Sequence, residues 1–267
     1  MSKLSAELKP LLYPIIVLVV LVAVWQLAAS SSSGNSAGVP APSDIFAALA
    51  REPGLYLGKA AITFFEAAVG LILAVCFGLL VASAFVLSSS IRSGFLPLVI
   101  AMQTIPLVAV APILNVYLGN GIVSKIVVAA LLCWFPTIMN ATRGMLDVNP
   151  AHAAVFDIYA ARKMHVFWKL RVPNSVAFVA SGIRISAALA MIGTIVAEYS
   201  DPNNGLGWFI FQLSVPAPKQ PDRLYAAILV ASAAGVALTE LSHFLISRML
   251  QRYIVKDEGL EAVVAAG

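Results

Sequence analysis

Charge is what this sequence has least of. Asp, Glu, Lys and Arg make up 11% of the 267 residues, against 60% hydrophobic residues. A soluble globular chain carries about a quarter charged residues. Too few charges remain here to solvate a surface, so lipid is the expected solvent for most of the chain. The net charge of +4 needs no nucleic acid to explain it, because cations beside membrane spans report orientation. Histidine is scarce too. His152, His165 and His243 lie far apart and show no metal-ligand spacing, so no metal site is expected; His152 and His165 read as exposed. Cys76 and Cys133 both fall in apolar runs and read as small buried hydrophobes, not as a disulfide. A nucleotide-binding loop is also lacking. Between Gly54 and Ala60 the glycines stand one residue too close, and Ala60 replaces the Ser/Thr that would hold magnesium. No nucleophile–base constellation stands out, which counts against an enzyme within the membrane.

What the chain does have is apolar runs, at about 11–29, 58–87, 95–118, 122–141, 176–198 and 224–247. Each approaches or exceeds the ~20 residues a helix needs to cross the hydrocarbon core. Continuous runs exclude a barrel of short alternating strands. The expected fold is therefore all-α, with about six membrane-spanning helices. An inside N-terminus places most Lys and Arg on the cytoplasmic side and only Arg51, Lys59, Lys125, Lys219 and Arg223 outside, with Arg184 inside the fifth span. The positive-inside rule then predicts both termini in the cytoplasm. The first run is longer than the ~7–15 residues of a signal-peptide core, so its retention as a helix is expected.

Three regions follow from the runs: a first helix with an external loop (1–57), a core (58–253) and a cytoplasmic tail (254–267). The Ser/Gly/Pro-rich loop predicts a short interfacial helix at 43–51, with Ser43 as its N-cap. Small residues recur every fourth position at Gly70, Ala74, Gly78 and Ala82, and again at Gly182, Ser186, Ala190 and Thr194. Such ladders lie on one helix face and serve close packing first; lining a passage is the sharper reading. Pro106, Pro112 and Pro136 break or kink their spans, which suits a transporter better than an inert anchor.

The longest cytoplasmic connection, 142–175, interrupts the apolar pattern. Asn149-Pro150 predicts a new helix opening at its first position. Ala154, Val155, Ile158 and Ala161 give that helix a modest apolar face. Arg162, Lys163, Lys169 and Arg171 follow. Two readings stand for this segment: a contact with anionic lipid, or a helix docking into a groove on a soluble partner.

The residues here resemble the cytoplasmic loop of permease subunits from ABC importers, whose pattern is E-A-A-x3-G-x9-I-x-L-P. Pro173 takes the final position, Val172 the Leu, Leu170 the Ile, Ala160 the Gly and Ala154-Val155-Phe156 the Glu-Ala-Ala. Ala154 and Ala160 depart from the pattern. "TIPLVAVAPILNVYLGNGIVSK", "FPTIMNATRGMLDVNP", "RVPNSVAFVASGIRIS" and "GTIVAEYSDPNNGLGWFI" extend the resemblance over about 40–253, to the nitrate/sulfonate/taurine permeases. Sulfonate-type members usually carry Arg where this chain has Glu66. "QTIP" and "GTIVAEY" look more like permeases for vitamin precursors of the pyrimidine or riboflavin type.

The resemblance implies a type I importer permease that works as a dimer, expected to be a homodimer, on two cytoplasmic ATPase subunits. A separate extracytoplasmic binding protein delivers a small solute, an organic anion or vitamin precursor. ATP and magnesium would be bound by the partner ATPase, with no cofactor in this chain. The stretch 154–165 would be the coupling helix that docks on the ATPase, through Ala154, Asp157, Ile158, Ala160, Ala161, Arg162 and His165, with Pro173 marking the turn into span five. Gln103, Thr104 and Pro106 would lie near the passage, and Glu198, Gly205 and Gly207 near its outer mouth. For Gln103 and Thr104 ordinary interhelical hydrogen bonding is the plainer alternative. For Glu198 it is a charge resting at headgroup level. The rival class is a gradient-driven transporter. Glu66 and Glu240 are the acids expected within its spans, and nothing in the sequence pairs either one.

Overall fold

The structure, a computed structural model, describes residues 2–31, 39–201, 205–215 and 220–264. The described residues are mostly helical and hold no strand. In chain order they form α1 (Ser2–Ser31), α2 (Pro42–Arg51), α3 (Pro53–Leu87), α4 (Ser89–Gln103), α5 (Leu107–Leu118), α6 (Ile122–Leu146), α7 (Pro150–Ile158), α8 (Lys163–Val166), a π-helical turn (Phe167–Arg171), α9 (Val172–Glu198), α10 (Leu206–Ser214) and α11 (Pro221–Val264). Among them, 4 stretches are long and apolar enough to cross a membrane: Pro53–Leu87, Ile122–Leu146, the unbroken Lys163–Glu198 and Pro221–Arg248. Shorter apolar helices cover Ile15–Ser30 and Ala109–Leu118.

Two expectations about spans change. The run at 95–118 is not one helix but α4 and α5, parted at Thr104–Pro106. Pro106 has no N–H to continue the ladder, and its ring pushes Ile105 out of the helical region. Pro112 and Pro136, by contrast, sit inside α5 and α6 without ending them. The last helix also runs on, its backbone helical through Val264, across most of the expected tail.

The chain divides into two compact units, residues 1–58 with 209–231, and 59–208 with 232–267. In the first, α2 is N-capped by Ala41 with Pro42 opening the helix, so Ser43 is not the cap. Ser43 instead ties α2 to α1. Its backbone N–H donates to Gln26 Oε1 and its Oγ accepts from Gln26 Nε2, both at 3.1 Å. Arg223 pairs with Glu52 at 2.6 Å and lies over the Phe209 ring, which meets Tyr56 edge-on at 5.8 Å.

The second unit is built on α6. Both small-residue ladders pack against it, as the plainer reading expected. A Cβ on Gly70 of α3 would lie 2.6 Å from the Ala129 Cβ, and one on Gly182 of α9 would lie 2.9 Å from the Asn140 Cβ. Between α6 and α9 the seam is also polar. Ser186 Oγ donates to the Cys133 carbonyl at 2.9 Å, and Cys133 Sγ donates back to the Ser186 carbonyl at 3.0 Å. Interhelical bonds of this kind hold membrane helices where no water competes. Cys133 is buried as expected, but Cys76 is exposed on the α3 surface. Its turn of the helix presents Phe77 and Leu80 outward as well, so the thiol shares a lipid-facing stripe instead of a core.

The connection after α6 also departs from the expected single helix. Asn149 caps α7, its Oδ1 accepting from the Ala151 N–H at 2.9 Å, and Pro150 opens the helix. But α7 ends at Ile158, and Ala160 takes φ +46°. Arg162 then becomes the N-cap of α8. The stretch 154–165 is therefore a helix, a left-handed turn and a second helix start. Nor does Pro173 mark a turn, because helix runs from Lys163 to Glu198 without a gap. The π turn makes this possible. The Val172 N–H bonds back to the Phe167 carbonyl, a register that takes up the extra residue ahead of the proline's missing donor.

Candidate functional site

At the Glu198 end of α9, three helices and a loop bring charge into the interior. Glu198 is wholly buried. Its Oε1 accepts from Thr63 Oγ1 at 2.7 Å and its Oε2 accepts from the Gly207 N–H at 2.6 Å. Thr63 Oγ1 in turn accepts from the Leu206 N–H at 2.9 Å. Lys125 of α6 reaches Asp201 at 2.9 Å and Glu66 of α3 at 3.4 Å. None of Thr63, Glu66, Lys125 or Asp201 is more than 3% exposed.

Three sequence-based expectations are corrected by this cluster. Glu198 does not rest in contact with headgroups, as the plainer alternative had it; packing of α3, α9 and the start of α10 seals it from solvent. Glu66 is not unpaired, and Lys125 is not a solvent-facing flank marker. Each had to find the other, since an isolated buried charge is far more costly than a paired one. Gly205 and Gly207 both lie against Glu198. A Cβ on Gly205, at φ +155°, would run into the Glu198 carboxylate, and one on Gly207 would meet the Ile195 carbonyl. The Gly207 amide reaches the carboxylate only because neither residue carries a side chain.

The other residues assigned to a passage lie apart from this cluster. Gln103, Thr104 and Pro106 are exposed at the break between α4 and α5. The Thr104 hydroxyl donates only locally, to the Ala101 carbonyl at 2.7 Å.

The second candidate surface is the α7–α8 connection. An open cleft of 540 Å³ is lined by Val155, Phe156, Tyr159, Ala160, Ala161, Arg162 and His165. Of the residues assigned to docking, Ala160, Ala161, Arg162 and His165 line it, whereas Ala154, Asp157 and Ile158 stand outside it, exposed. His152 and His165 are both exposed, as expected. Ile158 and Tyr159 are 81% and 80% exposed at the tip of this connection, as Val116 and Tyr117 are, at 81% and 82%, near the end of α5. Val155, Phe156 and Tyr159 were missed as cleft residues. Their apolar type next to a Gly-like position was the available signal. The loop is firmly anchored: Asn174 Nδ2 donates to the carbonyls of Gly144 and Asp147, both at 2.8 Å, tying the start of α9 to the end of α6.

The arrangement thus pairs a fixed, charge-locked end with an exposed apolar and basic knob, and the comparisons with known proteins bear on what such a chain is. A "Probable ABC transporter permease protein" of Haemophilus influenzae is 30% identical over 244 residues, covering 91% of this chain and 97% of that protein. The "Formylaminopyrimidine transport permease protein ThiX" of Halalkalibacterium halodurans is 28% identical, covering 84% and 89%. Among solved structures, an inward-facing form of the MetNI methionine ABC transporter aligns with a TM-score of 0.62 over 76% of this chain and 98% of that one. At 15% identity it speaks to the fold alone, and that fold is the all-α architecture expected. These relatives do not favour the gradient-driven alternative. The family described as "Binding-protein-dependent transport system inner membrane component" matches residues 74–254, and the chain belongs to it.

Proposed function

We propose that this chain is the permease subunit of an ATP-driven importer and forms the passage for a small solute handed over by an extracytoplasmic binding protein. The observation that carries the reading is the α7–α8 knob. Ile158 and Tyr159 project from a short helix beside an open cleft rimmed by Arg162 and His165. Exposed apolar residues gathered beside a cleft, here Val155, Ile158 and Tyr159, support a surface made for a partner. That partner is a cytoplasmic ATPase, two copies of which serve two copies of this chain. ATP and magnesium are held there.

The cations support an orientation: Arg143, Arg162, Lys163, Lys169 and Arg171 crowd the α6–α9 connection, in keeping with a cytoplasmic side for it and for both termini. Alternating access then requires the knob to be pushed when nucleotide closes the ATPases. The unbroken helix from Lys163 to Glu198 carries that push across the membrane as a rigid rod. At its far end Glu198, Gly205 and Gly207 frame the outer mouth. The exposed break at Gln103, Thr104 and Pro106 lies along the passage. The solute is a small organic anion or a vitamin precursor; the similarity to a formylaminopyrimidine permease supports the second.

The test is ATP-driven uptake by the complex of this chain, its ATPase and its binding protein in proteoliposomes, with Ile158→Asp as the variant. The side chain is exposed, so folding is unaffected, whereas loss of both ATPase binding and uptake is expected. Undiminished uptake would remove the docking assignment.

A further inference from the structure

A charge within a span needs a physical reason, and two such charges play no part in the account so far. Arg184 belongs to α9 and Glu240 to α11, each inside a stretch able to cross a membrane. At ~1.5 Å per residue, Arg184 lies roughly 21 Å along the axis from Glu198, and Glu240 about 12 Å from Arg248. Both positions fall within a hydrocarbon core about 30 Å thick.

The two side chains meet, Arg184 Nη2 donating to Glu240 Oε1 at 3.3 Å, yet they remain 55% and 58% exposed. This contact is longer than the ~2.7–2.9 Å of a well-made charge-assisted bond. It is also the one hydrogen bond recorded for either side chain among the described residues. A guanidinium has five N–H donors and a carboxylate two acceptor oxygens, so most of the bonding capacity of the pair is unspent. Lipid tails cannot use it. Charges in spans face protein or a water-filled cavity and mark pathways.

Their exposed neighbours are mixed, and Ile185, Val236 and Phe244 stand beside the pair. Ser181 and Ala188, one turn to either side on α9, and Ala237 on α11 are exposed and small. The exposed face of α3 instead presents Phe65, Ile72 and Leu80, bulk that suits lipid. The surface around the pair therefore joins small and apolar side chains about a half-used ion pair, and it is the pair that lipid tails cannot satisfy.

We propose that the Arg184–Glu240 pair is a polar station on the wall of the solute passage. It takes a solute edge that offers both an acceptor and a donor, such as a carboxamide or an aminopyrimidine, by opening the ion pair. Arg184 supplies planar donors to the acceptor side, and Glu240 receives the donor. The proposal rests on the permease reading above and adds to it where in the passage the solute is held, and by what chemistry.

The experiment uses the whole importer in proteoliposomes, with Cys76→Ser as background. Ser181→Cys, Ala188→Cys and Ala237→Cys are introduced singly, with Ile72→Cys as the lipid-facing control. A charged, membrane-impermeant thiosulfonate reagent is the probe, applied with and without ATP. The three cysteines beside the pair are expected to react about tenfold or more faster than the control in one of the two states. Arg184→Gln is expected to lower uptake by about tenfold or more with ATPase assembly intact, a loss in a single step of the cycle. Reaction no faster than the control would put this face in lipid and overturn the proposal. So would a disulfide between copies at Ala188→Cys with no labelling, which would make the face an interface between copies. Full uptake in the swapped Arg184→Glu/Glu240→Arg protein would reduce the pair to a strut and overturn it too. Absent ATP-driven uptake in the Cys76→Ser background strikes the permease reading instead, and labelling still decides whether the face is wet.

Discussion

Glu198 accepts the Gly207 amide at 2.6 Å, and this bond fastens the end of the long α9 rod to the start of α10. The approach leaves no room for a side chain. Gly207→Ala would press a methyl against the Ile195 carbonyl and Glu198. Overpacking of this kind costs about 1–3 kcal/mol. A lower melting temperature of the purified protein in detergent is the expected result, whereas Gly54→Ala, with open space around it, should leave the melting temperature nearly unchanged.

Lys125 pairs with both Glu66 and Asp201. Lys125→Met strands both carboxylates in the interior, and breaking a buried pair on one side costs about 3–5 kcal/mol. Restoring balance with Glu66→Gln and Asp201→Asn should recover most of the loss. Thermal unfolding of the single and triple variants measures this. A triple variant no more stable than Lys125→Met would show that the charges are not what matters.

Ala160 holds φ +46° at the position where the permease pattern has glycine. An L-residue there carries about 1–2 kcal/mol of strain. Ala160→Gly relieves it, less the entropy that glycine adds to the unfolded chain, for a net gain under about 1 kcal/mol. Slightly higher stability with uptake retained is expected. Ala160→Asp, which sets a charge in the docking cleft, should abolish coupling while leaving the protein in the membrane.

Most of the spans and the polar connection were legible because both write themselves locally, although hydropathy joined into one run the two helices that part at 104–106. Hydropathy marks a helix that lipid surrounds, and Asn149-Pro150 marks a helix start wherever it occurs. The small-residue ladders were legible for the same reason, since a spacing of four is a face. The ion cluster was not. Glu66, Lys125 and Asp201 sit on three separate elements, and only the packing of α3 and α9 on α6 makes them neighbours. Lys125 even imitated an interfacial cation, because the run that follows it looks the same whether the lysine faces water or a carboxylate. The left-handed turn at Ala160 was hidden for another reason. Alanine is the strongest helix former, and only the glycine of the family pattern at that position hinted at the turn.

The central claim is that a separate ATPase drives this chain through the α7–α8 knob. Mass spectrometry of the protein purified from its native membrane in mild detergent, with and without crosslinking, tests it most directly. The account predicts a stoichiometric ATPase in the wild-type preparation and its absence from Ile158→Asp. A wild-type preparation that contains this chain alone, even after crosslinking, would contradict it.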